Sequence, residues 1–173
     1  MARVFLGIGS NFRPEEHLSA ALDSLLLQFK DLTLSPVFES EAVGGDAPAY
    51  LNLVCGIDTE QTPSELKAWI KLLEDKLGRQ RPSQPPGTVS IDIDMLTYGK
   101  LCGQVEGTRL PRPEMTQAAH VLWPLAVLAP KEKHPQLQRS YKDLWLELGT
   151  DTSSIRPVDF VWHKRRISSA ALN

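Results

Sequence analysis

Apolar residues fall along this chain in two periods, and the switches between them lay out the elements. Val4 to Ile8 is a short apolar run ending in the turn cluster Gly9-Ser10-Asn11, which predicts a strand. From about Pro14 to Phe29 the period becomes helical. Leu18, Ala21, Leu22, Leu25, Leu26 and Phe29 form one stripe, and Pro14, Glu15 and Glu16 suit a first turn. Leu32 to Val43 reads as a strand interrupted at Pro36, hence an edge or bulged strand, and Gly44 to Pro48 as a loop. Tyr50 to Thr59 alternates: Tyr50, Asn52, Val54 and Gly56 share one face, while Leu51, Leu53, Cys55 and Ile57 share the other. A second helix opens at Thr62-Pro63-Ser64-Glu65, where Thr62 can cap, Pro63 fits the first helical position and Glu65 completes a capping box. Its buried stripe is Leu66, Trp69, Ile70, Leu73 and Leu77, and Gly78 ends it.

Arg79 to Thr88 contains no large apolar residue and predicts a surface loop that delivers the chain into the apolar run at Ile91–Leu96. A turn over 97–100, a poorer strand pair over 101–110, a helix-like stretch over Thr116–Leu128 and a helix over Tyr141–Leu148 follow. Residues 158–162 could form a terminal strand. The order β-α-β-β-α-β is the split βαβ, ferredoxin-like arrangement. It predicts an α+β fold: one mainly antiparallel sheet of about four core strands, with helices packed on one face. Residues 1–149 are expected to form the domain and 150–173 a C-terminal extension. The length of 173 residues, 42% of them hydrophobic and 23% charged, fits one globular core.

Charge and cysteines remove several function classes. A net charge of −2 gives no reason to expect nucleic acid or an acidic membrane as partner, and Lys164-Arg165-Arg166 reads as a solvated tail. No apolar run is long enough to span a bilayer. The start of the chain lacks a signal-peptide pattern, so a cytoplasmic location is expected. Cys55 and Cys102 make neither a disulfide framework nor a metal-ligand spacing.

The most informative segment is Ser90-Ile91-Asp92-Ile93-Asp94-Met95-Leu96. On a strand, Asp92 and Asp94 share one face. Two neighbouring anions repel, more so when buried. The pair therefore implies a divalent cation, basic partners, or a solvated strand face. Mg²⁺ takes oxygen ligands and is typically held by one or two carboxylates plus substrate phosphates. Glu74 and Arg79 flank the end of the second helix, Arg81 lies in the loop, and Arg112 precedes the Thr116 helix. Acids and arginines around one loop suit a metal-bound polyphosphate. There is no Gly-x-x-x-x-Gly-Lys-Ser/Thr loop and no protein-kinase motif set.

Several pieces taken together resemble the 6-hydroxymethyl-7,8-dihydropterin pyrophosphokinases of folate synthesis. They are Gly7-Ile8-Gly9-Ser10-Asn11, Phe38 to Gly44, Pro48 to Asn52, Glu74 to Arg81, Ile91 to Leu96, and Leu122-Trp123-Pro124-Leu125. They cover roughly residues 3–130, in the family's order. The resemblance implies a ferredoxin-like fold and a Mg²⁺-dependent transfer of the β,γ-pyrophosphoryl group of ATP to the pterin hydroxymethyl oxygen, releasing AMP. It implies that Asp92 and Asp94 bind two Mg²⁺ ions and, with Arg79, form the catalytic set; either aspartate could accept the hydroxyl proton. It places Glu74, Arg79, Arg81 and Arg112 on the ATP side, and Ser40, Val43, Tyr50, Asn52 and His120 around the pterin. ATP and the pterin would be the partners.

The chain also departs from that pattern. Val89 and Ala118 stand where the family usually has arginine, and Arg112 where it has an ATP-side histidine. His120 replaces the second pterin-stacking aromatic, and Pro85 and Pro86 stiffen a normally mobile loop. Three outcomes follow: an active pyrophosphokinase with an altered phosphate clamp, a paralogue that binds without turnover, or a related transferase with another acceptor. The retained aspartates favour the first.

Overall fold

The computed structural model describes residues 1–83, 85–149 and 151–171. In chain order the elements are β1 (Ala2–Ser10), α1 (Pro14–Phe29), β2 (Thr33–Leu34), β3 (Val37–Ser40), β4 (Tyr50–Thr59), α2 (Pro63–Lys76) and β5 (Asp92–Tyr98). They continue with β6 (Gly103–Val105), β7 (Thr108–Leu110), a short 3-10 helix (Pro113–Thr116), α3 (Ala119–Leu128), α4 (Tyr141–Leu148), β8 (Ile155–Val158), β9 (Phe160–Trp162) and β10 (Arg165–Ser168). The main sheet runs β5-β1-β4-β3-β8, with β2 also on β4, and every pairing in it is antiparallel. Two hairpins, β6–β7 and β9–β10, stand apart from it. No helix among the described residues is long and apolar enough to cross a membrane.

Local chemistry sets the boundaries. The α2 capping box forms as its sequence predicts: the Thr62 hydroxyl accepts the Glu65 N–H, and the Glu65 carboxylate accepts the Thr62 N–H at 2.8 Å. The strand expected over Leu32–Val43 is divided at Ser35-Pro36, because proline has no N–H for the ladder. The Ser35 hydroxyl takes the Val54 N–H at 2.8 Å instead, and the Ser35 N–H donates to the Val54 carbonyl at 2.9 Å. The strand then stops at Ser40, so Val43 belongs to the following loop. Thr116 closes the 3-10 helix, and α3 begins only at Ala119. The single terminal strand expected over 158–162 is divided: Val158 ends β8 on the main sheet, and Phe160–Trp162 pair with β10.

The expectation of helices on one face is overturned. On one side α1 and α2 bury Leu18, Leu22, Leu25, Leu66, Ile70 and Leu73 against Val4, Leu6, Leu53, Ile57 and Ile93. On the other, α3 and α4 pack Leu122, Leu125 and Tyr141 onto Phe5, Val54 and Leu96. The sheet is buried on both faces, but the second helical layer covers only part of its face. The uncovered part is the site.

Candidate active site

Antiparallel partners directly opposite each other project to the same face. The register sets Asp92 against Gly9, Gly9 against Asn52, and Asn52 against Phe38, giving one row across four strands. The next rows hold Asp94, Gly7 and Val54 on one side, and Tyr50 with Ser40 on the other. Tyr50, Asn52, Asp92 and Asp94 therefore converge on one face because of strand parity. Gly7 and Gly9 supply no side chains between them, so the backbone of β1 forms a flat floor. A Cβ on Gly9 would lie 3.0 Å from Asn52 Oδ1, tighter than ordinary contact.

Above that floor lies a cavity of about 270 Å³, lined by Gly7, Gly9, Ser40, Val43, Tyr50, Asn52, Asp92, Asp94 and His120. Val43 is fully exposed at its rim. His120 is also exposed, at the start of α3; desolvation by the pocket wall lowers its pKa, with the Asp92 charge pulling the other way. The buried Asn52 amide is held by its nitrogen, which donates to Ser40 Oγ at 2.8 Å and to the Phe38 carbonyl at 3.4 Å. Both N–H groups are thereby used, and Oδ1 remains as an acceptor toward the floor. Burial, then the Asp92 charge, raises the Tyr50 pKa, so its ring meets the cavity as a neutral phenol.

The arginines lie outside the cavity lining, at its acidic end. Arg79 Nη1 contacts Asp92 Oδ1 at 3.2 Å and donates to the Ile91 carbonyl at 3.0 Å. Arg112 Nη1 lies 3.5 Å from Asp94 Oδ1, and Arg81 reaches Glu74 Oε1 at 3.4 Å. Glu74 is buried. Its Oε2 accepts the N–H of Ile93, the residue between the two aspartates, at 2.9 Å and lies 3.7 Å from Arg79. Burial raises the Glu74 pKa, while the Ile93 N–H and the two arginines pull it back. In this arrangement Glu74 holds the aspartate strand and the arginines rather than facing the cavity. Asp94 is shifted further, to about 7, by burial and then by the adjacent Asp92 charge, with Arg112 opposing.

The sequence reading did not single out Asn11. It is buried; its amide nitrogen donates to the Pro48 and Gly87 carbonyls at 3.2 and 2.9 Å, and its Oδ1 accepts the Val89 N–H at 2.5 Å. One side chain thus ties the loop before β4 to the loop before β5. The same contacts show what position 89 does here: its backbone is fixed between Asn11 and Ser10. Ala118 is the uncapped residue before α3. Gly7 and Gly9 were also not assigned a site role, although glycine at alternate positions of an apolar strand signals close approach of a ligand or backbone.

No group of three or more His, Cys, Asp or Glu side chains able to hold a metal occurs among the described residues. At the cavity's acidic end the residues that could face a cation are the two aspartates, Asp92 and Asp94. An oxygen-only pair fits Mg²⁺, which keeps waters and shares substrate phosphates, and does not fit a closed zinc site.

Fold and site together define a ferredoxin-like α+β protein whose cleft has Tyr50 and His120 in its lining and an acidic end at Asp92 and Asp94 flanked by arginines. Residues 5–130 match the family of 7,8-dihydro-6-hydroxymethylpterin-pyrophosphokinase (HPPK), and the chain belongs to that family. It is 33% identical over 137 residues to the 2-amino-4-hydroxy-6-hydroxymethyldihydropteridine pyrophosphokinase of Pseudomonas aeruginosa, covering 77% of this chain and 84% of that one. The enzyme of the same name from Haemophilus influenzae is 32% identical over 133 residues, covering 75% and 82%. Among solved structures, a Plasmodium falciparum HPPK-DHPS mutant with pterin and p-hydroxybenzoate superposes with a TM-score of 0.74 at 12% identity. That match covers 96% of this chain and 48% of the longer Plasmodium chain, and it speaks for the fold alone.

Proposed function

We propose that this cleft carries out the family's reaction with the cavity as acceptor site and the acidic end as phosphate site. The protein is an ATP-dependent pyrophosphokinase of folate biosynthesis, moving pyrophosphate from ATP to 6-hydroxymethyl-7,8-dihydropterin. The pterin lies on the Gly7–Gly9 floor between Tyr50 and His120. Its ring N–H groups donate to Asn52 Oδ1, and its hydroxymethyl arm points toward Asp92 and Asp94. Flat heteroaromatic ligands need stacking faces and a few edge hydrogen bonds, and this cavity provides both.

Asp92 and Asp94 would hold Mg²⁺, which when bound supplies charge neutralisation to the polyphosphate. The hydroxymethyl oxygen attacks the β-phosphorus of ATP, forming the new O–P bond. The bond from that phosphorus to the α,β-bridging oxygen breaks, AMP departs with the oxygen, and the hydroxyl proton passes to the Asp92–Asp94 carboxylates. Arg79, Arg81 and Arg112 neutralise the phosphate oxygens, the dominant requirement in phosphoryl transfer. Glu74 keeps Arg79 and the Ile93 backbone in place. With arginine absent at positions 89 and 118, the clamp rests on these three residues.

The observation that carries this assignment is that Tyr50, Asn52 and His120 line the same cavity as Asp92 and Asp94. The test is AMP release from ATP, Mg²⁺ and hydroxymethyl-dihydropterin. AMP formation that requires the pterin supports it. Pterin binding without AMP formation sinks the catalytic reading and leaves a binding paralogue.

A further inference from the structure

The segment beyond residue 150 lies outside the family match, which ends at residue 130, yet it is bonded to the acceptor wall. β8 pairs along β3 with Ser40 against Ile155, Glu39 against Arg156 and Val37 against Val158. Just past Ser40, the Glu41 N–H donates to the Ser154 carbonyl at 3.2 Å. The turn presenting that carbonyl is held by Asp151, whose carboxylate accepts the Ser153 N–H at 2.9 Å and the Ser153 hydroxyl at 3.1 Å. At the other end of β3, the buried Ser168 hydroxyl accepts the Val37 N–H at 2.8 Å and donates to the Val158 carbonyl at 2.6 Å. Across the edge, Arg156 Nη2 meets Glu39 Oε1 at 3.0 Å.

We infer that the C-terminal strand and the Ser168 hydroxyl position the pterin-recognising amide: they fix β3, β3 fixes Ser40, and Ser40 orients Asn52. The inference rests on the acceptor-site assignment above. It makes Ser168 and Arg156 positioning residues for acceptor binding, with no part in ATP binding. The physical link is short. β3 is a four-residue strand whose inner edge bonds β4; without β8 its outer edge would be open, and short unpaired edges fray. Ser40 Oγ accepts one of the two Asn52 N–H groups. A shift of β3 frees that amide to rotate, and Oδ1 then no longer faces the floor.

The test uses the full chain, with 6-hydroxymethylpterin as the equilibrium probe and AMP release as the kinetic one. Ser168→Ala leaves the buried Val37 N–H without a partner. It should raise the Kd for 6-hydroxymethylpterin and the acceptor KM roughly 10-fold, with the ATP KM changed less than about twofold. Arg156→Glu should move the same two quantities in the same direction, and Glu39→Arg/Arg156→Glu should restore them. If Ser168→Ala does not fold, the Arg156 pair of variants decides alone. Unchanged acceptor binding in the variants, or an ATP KM that rises in step, overturns the inference. Failure of the natural chain to bind 6-hydroxymethylpterin overturns the site assignment, and this inference with it.

Discussion

The two faces of the sheet carry opposite instructions from the same strands. On the α1–α2 face Val4, Leu6, Leu53, Cys55 and Ile57 are shut away from solvent. On the other face the alternate residues begin in the same way, with Phe5, Val54 and Leu96 under α3 and α4. Further along those strands the residues become Gly7, Gly9, Asn52, Asp92 and Asp94. One face is closed because the side chains of its central strands are apolar there; the other opens where they turn small or polar. Stability is concentrated on the first and chemistry on the second, so substitutions on the two faces should separate cleanly.

The sharpest separation is expected at the aspartates. Asp92→Ala and Asp94→Ala should each lower turnover by about 10³-fold or more, while thermal unfolding shifts little, because Arg79 keeps Glu74 and the Ile91 carbonyl as partners. Retained AMP release in both variants would break the division of labour. Leu22→Ala, fully buried on α1, should do the reverse: a loss of about 2–5 kcal/mol in unfolding free energy, read by denaturant titration, with acceptor KM unchanged in the folded fraction. Gly9→Ala tests the floor. Its methyl would crowd Asn52 Oδ1, and acceptor KM should rise roughly 10-fold, with stability little altered.

The smallest effect is the titration of Asp94, whose pKa rises from 3.8 to about 7 through burial and the Asp92 charge. Between those values the folded protein binds more protons than the unfolded chain, so this contribution to stability is full at low pH and is lost as pH rises through about 7. Cation binding runs the other way, because it needs the carboxylate. Mg²⁺ affinity of the free protein should rise by up to about tenfold per pH unit below that point and level off above it. Asp94→Asn should flatten both slopes; a pH-independent Mg²⁺ affinity in the natural chain would contradict the shift.

Much of this division was legible in the sequence, and the omissions have physical reasons. Helices α1 and α2 announce themselves through a stripe of Leu at helical spacing, and Asp92 and Asp94 through two acids on one strand face. The alternation in Tyr50–Thr59 correctly separated Tyr50 and Asn52 from Leu51 and Leu53. Helix α3 is apolar nearly all round its circumference, so no stripe said which face of the sheet it would cover. Asn11 looked like one more turn residue, because its partners at Pro48, Gly87 and Val89 are distant in sequence and are reached through backbone groups. The arginines were legible as a cluster, but their partners, Asp92 and Asp94 for Arg79 and Arg112, depend on side-chain reach across the fold.

Those arginine–aspartate pairs mean that the cleft's carboxylates and guanidinium groups already have one another as partners. Entry of a divalent cation together with a polyphosphate would be an exchange of partners: the carboxylates pass to the cation and the guanidinium groups to the phosphates. Each charged group ends with a counterion, as it began. Binding of this kind releases few ions to the solvent, so ionic strength should act on it much less than the number of arginines suggests.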